Sequence, residues 1–324
     1  GSFKYLLLSA VATFIMLASV ALFLLTTGEP SFSGVAASLA GQARGWQSIL
    51  AIALFTGGLC IKAGLAPFHG WLPDAYSSAP PAVSVLLAGI VTKTTGVYSL
   101  MRLSSSVFGF GFKLDAALIA IGLLSILVGA LAAIGQKDMK RMLAYSSLSL
   151  VGYIILGLGA GSPLGIAAAS FHLFNHAIFK TQLFVNAAAV ERQAGTRNLD
   201  EMGALSREMP ITSWSSVIAF LSAAGVPPLA GFWSKLLVVM ALWQAGQVPA
   251  AVVAVLASLI TLAYFLVLQR KAFFGKSGER TKPVKEAPLW LTAPAIILAL
   301  VSLAVGIFFP LILDSIILPI ARIR

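Results

Sequence analysis

Four lysines and two histidines stand where water should be scarce. Lys62, Lys93, Lys180 and Lys235 all lie inside long apolar runs, and so do His172 and His176. A charged side chain at the centre of a bilayer costs at least about 2.5–3.5 kcal/mol on insertion scales, so such residues mark ion pathways and proton relays. Lysines near a helix end can snorkel to the headgroups. At 1.5 Å per residue, Lys62 lies roughly 21 Å and Lys93 roughly 18 Å into its run, which makes that escape difficult. Removing an amine from water disfavours its charged form, which turns a lysine from a fixed charge into a proton carrier.

His172, His176 and Lys180 are spaced i, i+4, i+8 and share one helical face, with Asn175 beside them. Imidazole titrates near physiological pH and can take a proton on one nitrogen while releasing one from the other. A lone histidine there would read as a packed, hydrogen-bonded core residue. Three titratable side chains in register read as a proton wire.

The elements that must hold these residues are membrane helices. Of the 324 residues, 59% are hydrophobic and only 10% charged, against about 25% charged in soluble domains. The apolar runs are long enough to cross a bilayer core as helices. Nine spans are predicted, at 5–27, 48–68, 81–103, 114–135, 142–160, 164–190, 211–240, 249–270 and 288–312. The fold class is therefore all-α, a polytopic transmembrane bundle. Loops are expected at 28–47, 70–80, 191–210 and 271–287.

The formal net charge of +11 could suggest nucleic acid. Its distribution argues otherwise. Alternating the loops puts 13 of the 22 lysines and arginines on one side, five on the other and four inside spans. That asymmetry places the basic side in the cytoplasm, with the N-terminus there and the C-terminus outside. Cys60 is the one cysteine, so no intrachain disulfide and no multi-cysteine metal site can form.

Two spans carry breakers at membrane depth. One reads Cys60-Ile-Lys-Ala-Gly-Leu-Ala-Pro-Phe-His69, with Gly64 and Pro67 beside Lys62 and with His69 at its expected cytoplasmic end. The other reads Ala224-Gly-Val-Pro-Pro-Leu-Ala-Gly-Phe-Trp-Ser-Lys235, with Pro227 and Pro228. Freed backbone groups at that depth are tolerated only inside protein or beside a cavity. Paired interrupted helices in two halves are the signature of an inverted-repeat transporter and its ion site.

For other features a structural role is the better reading. The turn Lys137, Asp138, Lys140 and Arg141 reads as a topology determinant, Asp74 as a cap for the following helix. Trp46, Trp71 and Trp290 read as interfacial anchors. All the carboxylates fall in loops or at span ends, so Lys62 lacks an acid partner on its own run. The chain opens on Gly1 without an initiator methionine, and earlier spans holding that acid are expected.

Lys62-Ala-Gly-Leu-Ala-Pro-Phe-His-Gly-Trp-Leu-Pro-Asp-Ala-Tyr-Ser-Ser-Ala-Pro-Pro81, followed by Gly89-Ile-Val-Thr-Lys-Thr-Thr-Gly-Val-Tyr98, closely resembles the antiporter-like membrane subunits of respiratory complex I. The same family includes subunits of Mrp-type cation/proton antiporters and of energy-converting hydrogenases. Lys140-Arg-Met-Leu-Ala-Tyr-Ser-Ser147, Phe171-His-Leu-Phe-Asn-His-Ala-Ile-Phe-Lys180 and Gly225-Val-Pro-Pro-Leu-Ala-Gly-Phe-Trp-Ser-Lys235 resemble further family motifs in the same order.

The resemblance implies about fourteen helices with two inverted repeats, of which this chain matches the sixth to fourteenth. On that basis residues 1–110 end the first repeat and 111–275 form the second, with a cytoplasmic loop and last helix at 276–324. Lys62, Lys93, Lys180 and Lys235 match the family's relay lysines, and a glutamate upstream of Gly1 is expected to pair with Lys62. The resemblance further implies proton or sodium transport in the cytoplasmic membrane. Partners would be other membrane and peripheral subunits, which would carry any iron–sulfur, flavin or nickel–iron centres. No cofactor is expected on this chain.

Overall fold

The computed structural model describes residues 1–41, 45–109, 112–276 and 283–319. Arg44, Arg280, Lys282, Arg322 and Arg324, which entered the charge count, lie outside the described residues, as does part of the 271–287 loop. The described chain is helical, and its single extended pairing is an isolated bridge between Asp138 and Asn198.

The helices in chain order are α1 (Ser2–Thr27), α2 (Phe32–Gly41), α3 (Trp46–Ala63) and α4 (Trp71–Ser78). Then come α5 (Pro81–Phe108), α6 (Phe112–Ile134), α7 (Met139–Gly159) and α8 (Pro163–Ala194). The last are α9 (Pro210–Ala224), α10 (Ala230–Gln244), α11 (Val248–Phe274) and α12 (Leu289–Ile307). Seven of these, namely α1, α3, α5, α6, α7, α11 and α12, are long and apolar enough to cross a membrane. The other two expected spans are α8 and the pair α9–α10.

α8 is polar for a reason visible in its packing. His172, Asn175, His176, Lys180, Gln182 and Asn186 are all at most 1% exposed. Protein covers the face of α8 that carries these groups, which would be intolerable against lipid, and leaves Phe174 exposed. α7 is its counterpart at the centre, with 94% of its membrane-length window buried against 17% for α1.

Both breaks appear where glycine and proline predicted them. α3 ends at Gly64 (φ 69°) and α9 at Gly225 (φ 87°), both left-handed. In each, the residue after the glycine bonds back to close the turn, Leu65 N to Cys60 O and Val226 N to Leu221 O, each at 3.0 Å. This is the helix-ending arrangement glycine favours. Ala66–Pro67 and Pro227–Pro228 are cis peptides. The α3–α4 helix runs toward the end of the bundle that holds Lys4 and Arg141, and α9–α10 runs away from it, as inverted repeats require.

Five sequence readings need correction. The stretch 28–47 is not all loop, since α2 occupies Phe32–Gly41. The stretch 70–80 is largely helical: α4 completes the broken span through Ser78. His69 therefore sits inside the break, not at the cytoplasmic end. Asp74 is not a cap for α5. It lies within α4 and pairs with Lys4 at 2.6 Å and Arg141 at 3.1 Å. Trp71 is 2% exposed and donates its indole N–H to Ile61 O at 2.9 Å, so it is a core residue. Trp46 and Trp290 are exposed, as anchors would be.

Candidate functional site: a buried lysine–histidine line

Lys93 stands on a distorted helix. Within α5, Leu87–Val91 and Lys93–Tyr98 are π-helical, a geometry that often marks functional sites. The cause is local. The Leu87 carbonyl is engaged by the Thr92 hydroxyl and the Tyr76 hydroxyl, both at 3.0 Å. The Lys93 ammonium donates to Thr92 Oγ1 at 3.2 Å. Two glycines let α5 come close on both sides. A Cβ on Gly96 would stand 2.5 Å from Ala63 N, beside Lys62, and one on Gly89 would collide with Thr181 Oγ1, beside Lys180.

Lys180 is fully buried. It donates to Leu143 O at 3.1 Å and to Ser146 Oγ, and its ammonium lies 5.7 Å from the Phe265 ring centroid. His176 lies one turn away, packed edge-on to Phe179 at 5.2 Å. Neither of its ring nitrogens has a hydrogen-bond partner of good geometry, with the Ser147 backbone alongside. His172 is the next turn, 6.4 Å from His176 between ring centroids. Its Nδ1 shares a 2.8 Å hydrogen bond with Ser234 Oγ, and its Nε2 is unpaired among the described residues. Asn175 donates to Ala230 O at 3.3 Å and so ties α8 to the second break.

Lys235 ends the line. It sits on α10 and reaches back across the break to Ala224 O at 3.1 Å. Ser258 Oγ is at 3.4 Å, and the Tyr153 ring centroid is 4.5 Å from the ammonium. Tyr153 is held by Ala254 O at 2.7 Å and Ser258 at 3.0 Å. His176 is within Coulombic range of Lys93, Lys180 and His172, and His172 within range of Lys235.

Lys62 stands one step aside. It is half-buried and faces a cavity of about 80 Å³ lined by Tyr5, Ser9, Trp71, Thr92 and Thr95. None of the described carboxylates pairs with it. His69 is outside the line, and its carbonyl accepts from Leu72 N at the start of α4. Pro67, Pro227 and Pro228 are all exposed, and the Pro228 carbonyl lies close to Gly306 of α12.

Lys140 is more than the topology determinant its sequence context suggests. It is 1% exposed, pairs with Glu191 at 2.6 Å and donates to Ala79 O at 3.3 Å. Arg197 joins the same cluster, bonding Ser77 O and lying 3.2 Å from Asp138. The signal available was Glu191, a carboxylate on the last turns of a helix antiparallel to the one that Lys140 begins.

The paired broken helices run in opposite directions, with half-buried Lys62 at one, buried Lys235 at the other and a titratable ladder between, in a helical bundle of membrane-crossing length. Residues 1–261 match the family described as NADH:quinone oxidoreductase/Mrp antiporter, TM. The chain belongs to that family. It is 33% identical to NADH-quinone oxidoreductase subunit N of Desulforudis audaxviator, over 98% of this chain and 66% of the relative. It is 34% identical to a Na(+)/H(+) antiporter subunit of Alkalihalophilus pseudofirmus, over 85% of this chain and 56% of the relative. The structure of the Mrp complex from Dietzia contains a similar chain, with a TM-score of 0.89 at 29% identity, covering 97% of this chain and 66% of that one. The chain spans two thirds or less of the length of these relatives. It is a multi-pass membrane protein.

Proposed function

We propose that this chain is the proton-translocating, antiporter-like part of a complex I-related pump. The supporting observation is the buried series Lys93, Lys180, His176, His172 and Lys235, each at most 5% exposed, set between the two breaks. Lys62 feeds it from its half-open cavity, and Gly64, Pro67, Asn175, Pro227 and Pro228 shape the two ends. His69 supports the first break rather than carrying protons.

The chemistry follows from like charges held close in a low dielectric. Neighbouring ionisable groups in such a line do not change charge independently. A change of charge at one end therefore moves protons stepwise along the line. Residues 1–110 and 111–275 act as the two half-units, and 276–324 as a closing segment. The basic end faces the cytoplasm, as its excess of lysine and arginine favours, in an inner membrane. The drive comes from redox chemistry in partner subunits of the NADH:quinone oxidoreductase or hydrogenase type. Those subunits would hold the iron–sulfur, flavin or nickel–iron centres.

The likeness to the Alkalihalophilus antiporter chain and to the Mrp complex favours a second reading, sodium/proton exchange with no redox partner. Purifying the native complex with its partner chains and reconstituting it in proteoliposomes separates the two. Electron-donor-driven proton transport supports the first, and transport driven by a sodium gradient alone supports the second. In either case Lys235→Met and Lys62→Met should abolish translocation while the complex still assembles. Normal pumping by both variants would overturn the relay.

A further inference from the structure

Beyond Lys180, toward the basic end, three helices turn polar side chains toward one another. α8 contributes Gln182 and Asn186, α9 contributes Ser213, Ser215 and Ser216, and α11 contributes Gln269, all at most 4% exposed. Their donor groups are used. Gln182 Nε2 bonds both the carbonyl and the hydroxyl of Ser215 at 3.0 Å, Asn186 Nδ2 bonds Ser215 Oγ at 3.2 Å, and Gln269 Nε2 bonds Ser216 Oγ at 2.6 Å.

The amide oxygens are not used. Gln182 Oε1, Asn186 Oδ1 and Gln269 Oε1, together with Ser213 Oγ, have no protein partner among the described residues. Leaving four buried polar atoms unpaired would be costly. Buried groups of this kind are satisfied by internal water, which makes about three hydrogen bonds per molecule.

The seam is continuous at both ends. On the inner side the Tyr264 hydroxyl lies beside Thr261 and Ser146, and Ser146 accepts from Lys180. On the outer side Thr212, one turn from Ser215 and Ser216, donates to Glu286 Oε1 at 2.7 Å, and Ile211 N donates to the other oxygen at 2.7 Å. Gln193, at the end of α8, donates to the Glu286 carbonyl at 3.4 Å. From Lys180 to Gln193 the helix rises about 20 Å.

We propose that this amide–hydroxyl seam is a water-holding path that joins Lys180 to the basic end of the bundle, with Glu286 at its mouth. The amides and hydroxyls do not titrate. They orient waters, and each proton hop is from one water to the next, so that no side chain changes charge between Glu286 and Lys180. The path's use in transport rests on the relay reading above, but its existence does not.

Cysteine accessibility in the intact membrane complex tests it without any pumping assay. Cys60 is buried and is the sole cysteine, so Cys60→Ser gives a clean background. Asn186→Cys and Ser216→Cys are then exposed to a small, membrane-impermeant cationic methanethiosulfonate from each face in turn. Ala187→Cys, equally deep on α8 but packed in the apolar core, is the buried control, and exposed Arg207→Cys marks the basic face. The expected result is labelling of both seam cysteines from the basic face only, with none at position 187. Labelling of neither from that face while Arg207→Cys reacts, or labelling from the opposite face alone, overturns the path. If the Asn186 variant does not assemble, Ser216→Cys and Ser213→Cys carry the same test, since serine and cysteine differ little in size. Failure of Lys235→Met to affect transport would sink the relay and leave these labelling results standing.

Discussion

The two broken helices solve the same backbone problem with different donors. Each ends at a left-handed glycine and resumes after a proline-bearing turn, which leaves carbonyls free at membrane depth. At the first break the Trp71 indole takes Ile61 O, and Ser125 Oγ accepts from Ala66 N at 3.0 Å. Neutral groups close that turn, and Lys62 is left facing a cavity. At the second break the lysine closes the turn itself, with Lys235 bonded to Ala224 O. The surroundings differ to match. Phe68 in the first break is 40% exposed, whereas Leu229 in the second is 4% exposed. A lysine can thus be uncommitted or held, depending on which group satisfies the freed carbonyls.

The most damaging change should fall beside the first break. Gly96→Val drives a side chain into the backbone of Ala63, which cannot move aside, and should cost about 3 kcal/mol or more. A fall in the unfolding temperature of the purified complex would register it, and wild-type stability would show that the approach of α5 to α3 is not tight. Next comes the pair Lys235→Arg and Lys62→Arg. The enclosed site should lose about 2 kcal/mol to overpacking, while the half-open one should fold normally. Equal losses would erase the distinction between a held and a free lysine.

Trp71→Phe keeps the ring and removes one of two donors to Ile61 O, leaving Gly64 N at 3.1 Å as the other, at a cost of about 1 kcal/mol. It should destabilise the first break and leave the second untouched, as hydrogen exchange in the two segments would reveal. Tyr153→Phe should cost about 1 kcal/mol, because Ala254 O loses the shorter of its two hydroxyl donors and keeps Ser258 Oγ, while the ring stays under Lys235.

The smallest effect belongs to the exposed clamp at the basic end. Hydrogen bonds from Lys271 and then Lys137 hold the Asp200 carboxyl below its usual range. Its folded-state pKa is therefore depressed, so its contribution is present above 3.8, the ordinary value, and vanishes as pH falls through the lower folded value. Asp200→Asn should shift stability little at neutral pH and flatten only the acid limb of the profile, which a pH series of melting curves would check.

Much of this molecule is legible one segment at a time. Apolar runs mark the spans, Gly64 with Pro67 and Gly225 with Pro227 and Pro228 mark the breaks, and the i, i+4, i+8 spacing puts His172, His176 and Lys180 on one face. Those signals are local, because helix period and backbone permissiveness depend on neighbours within a few residues. What only the tertiary structure decided is what each polar group meets. Trp71 turns inward, where it packs on Tyr5 and donates to Ile61 O across the break. Lys140 is buried because α8 brings Glu191 to it. The π-turns around Lys93 accompany a Leu87 carbonyl that accepts from both Tyr76 and Thr92, a contact that no periodicity of α5 encodes. The four lysines within apolar runs look alike along the chain. The difference between free Lys62 and held Lys235 exists only once a second helix supplies, or withholds, the partner.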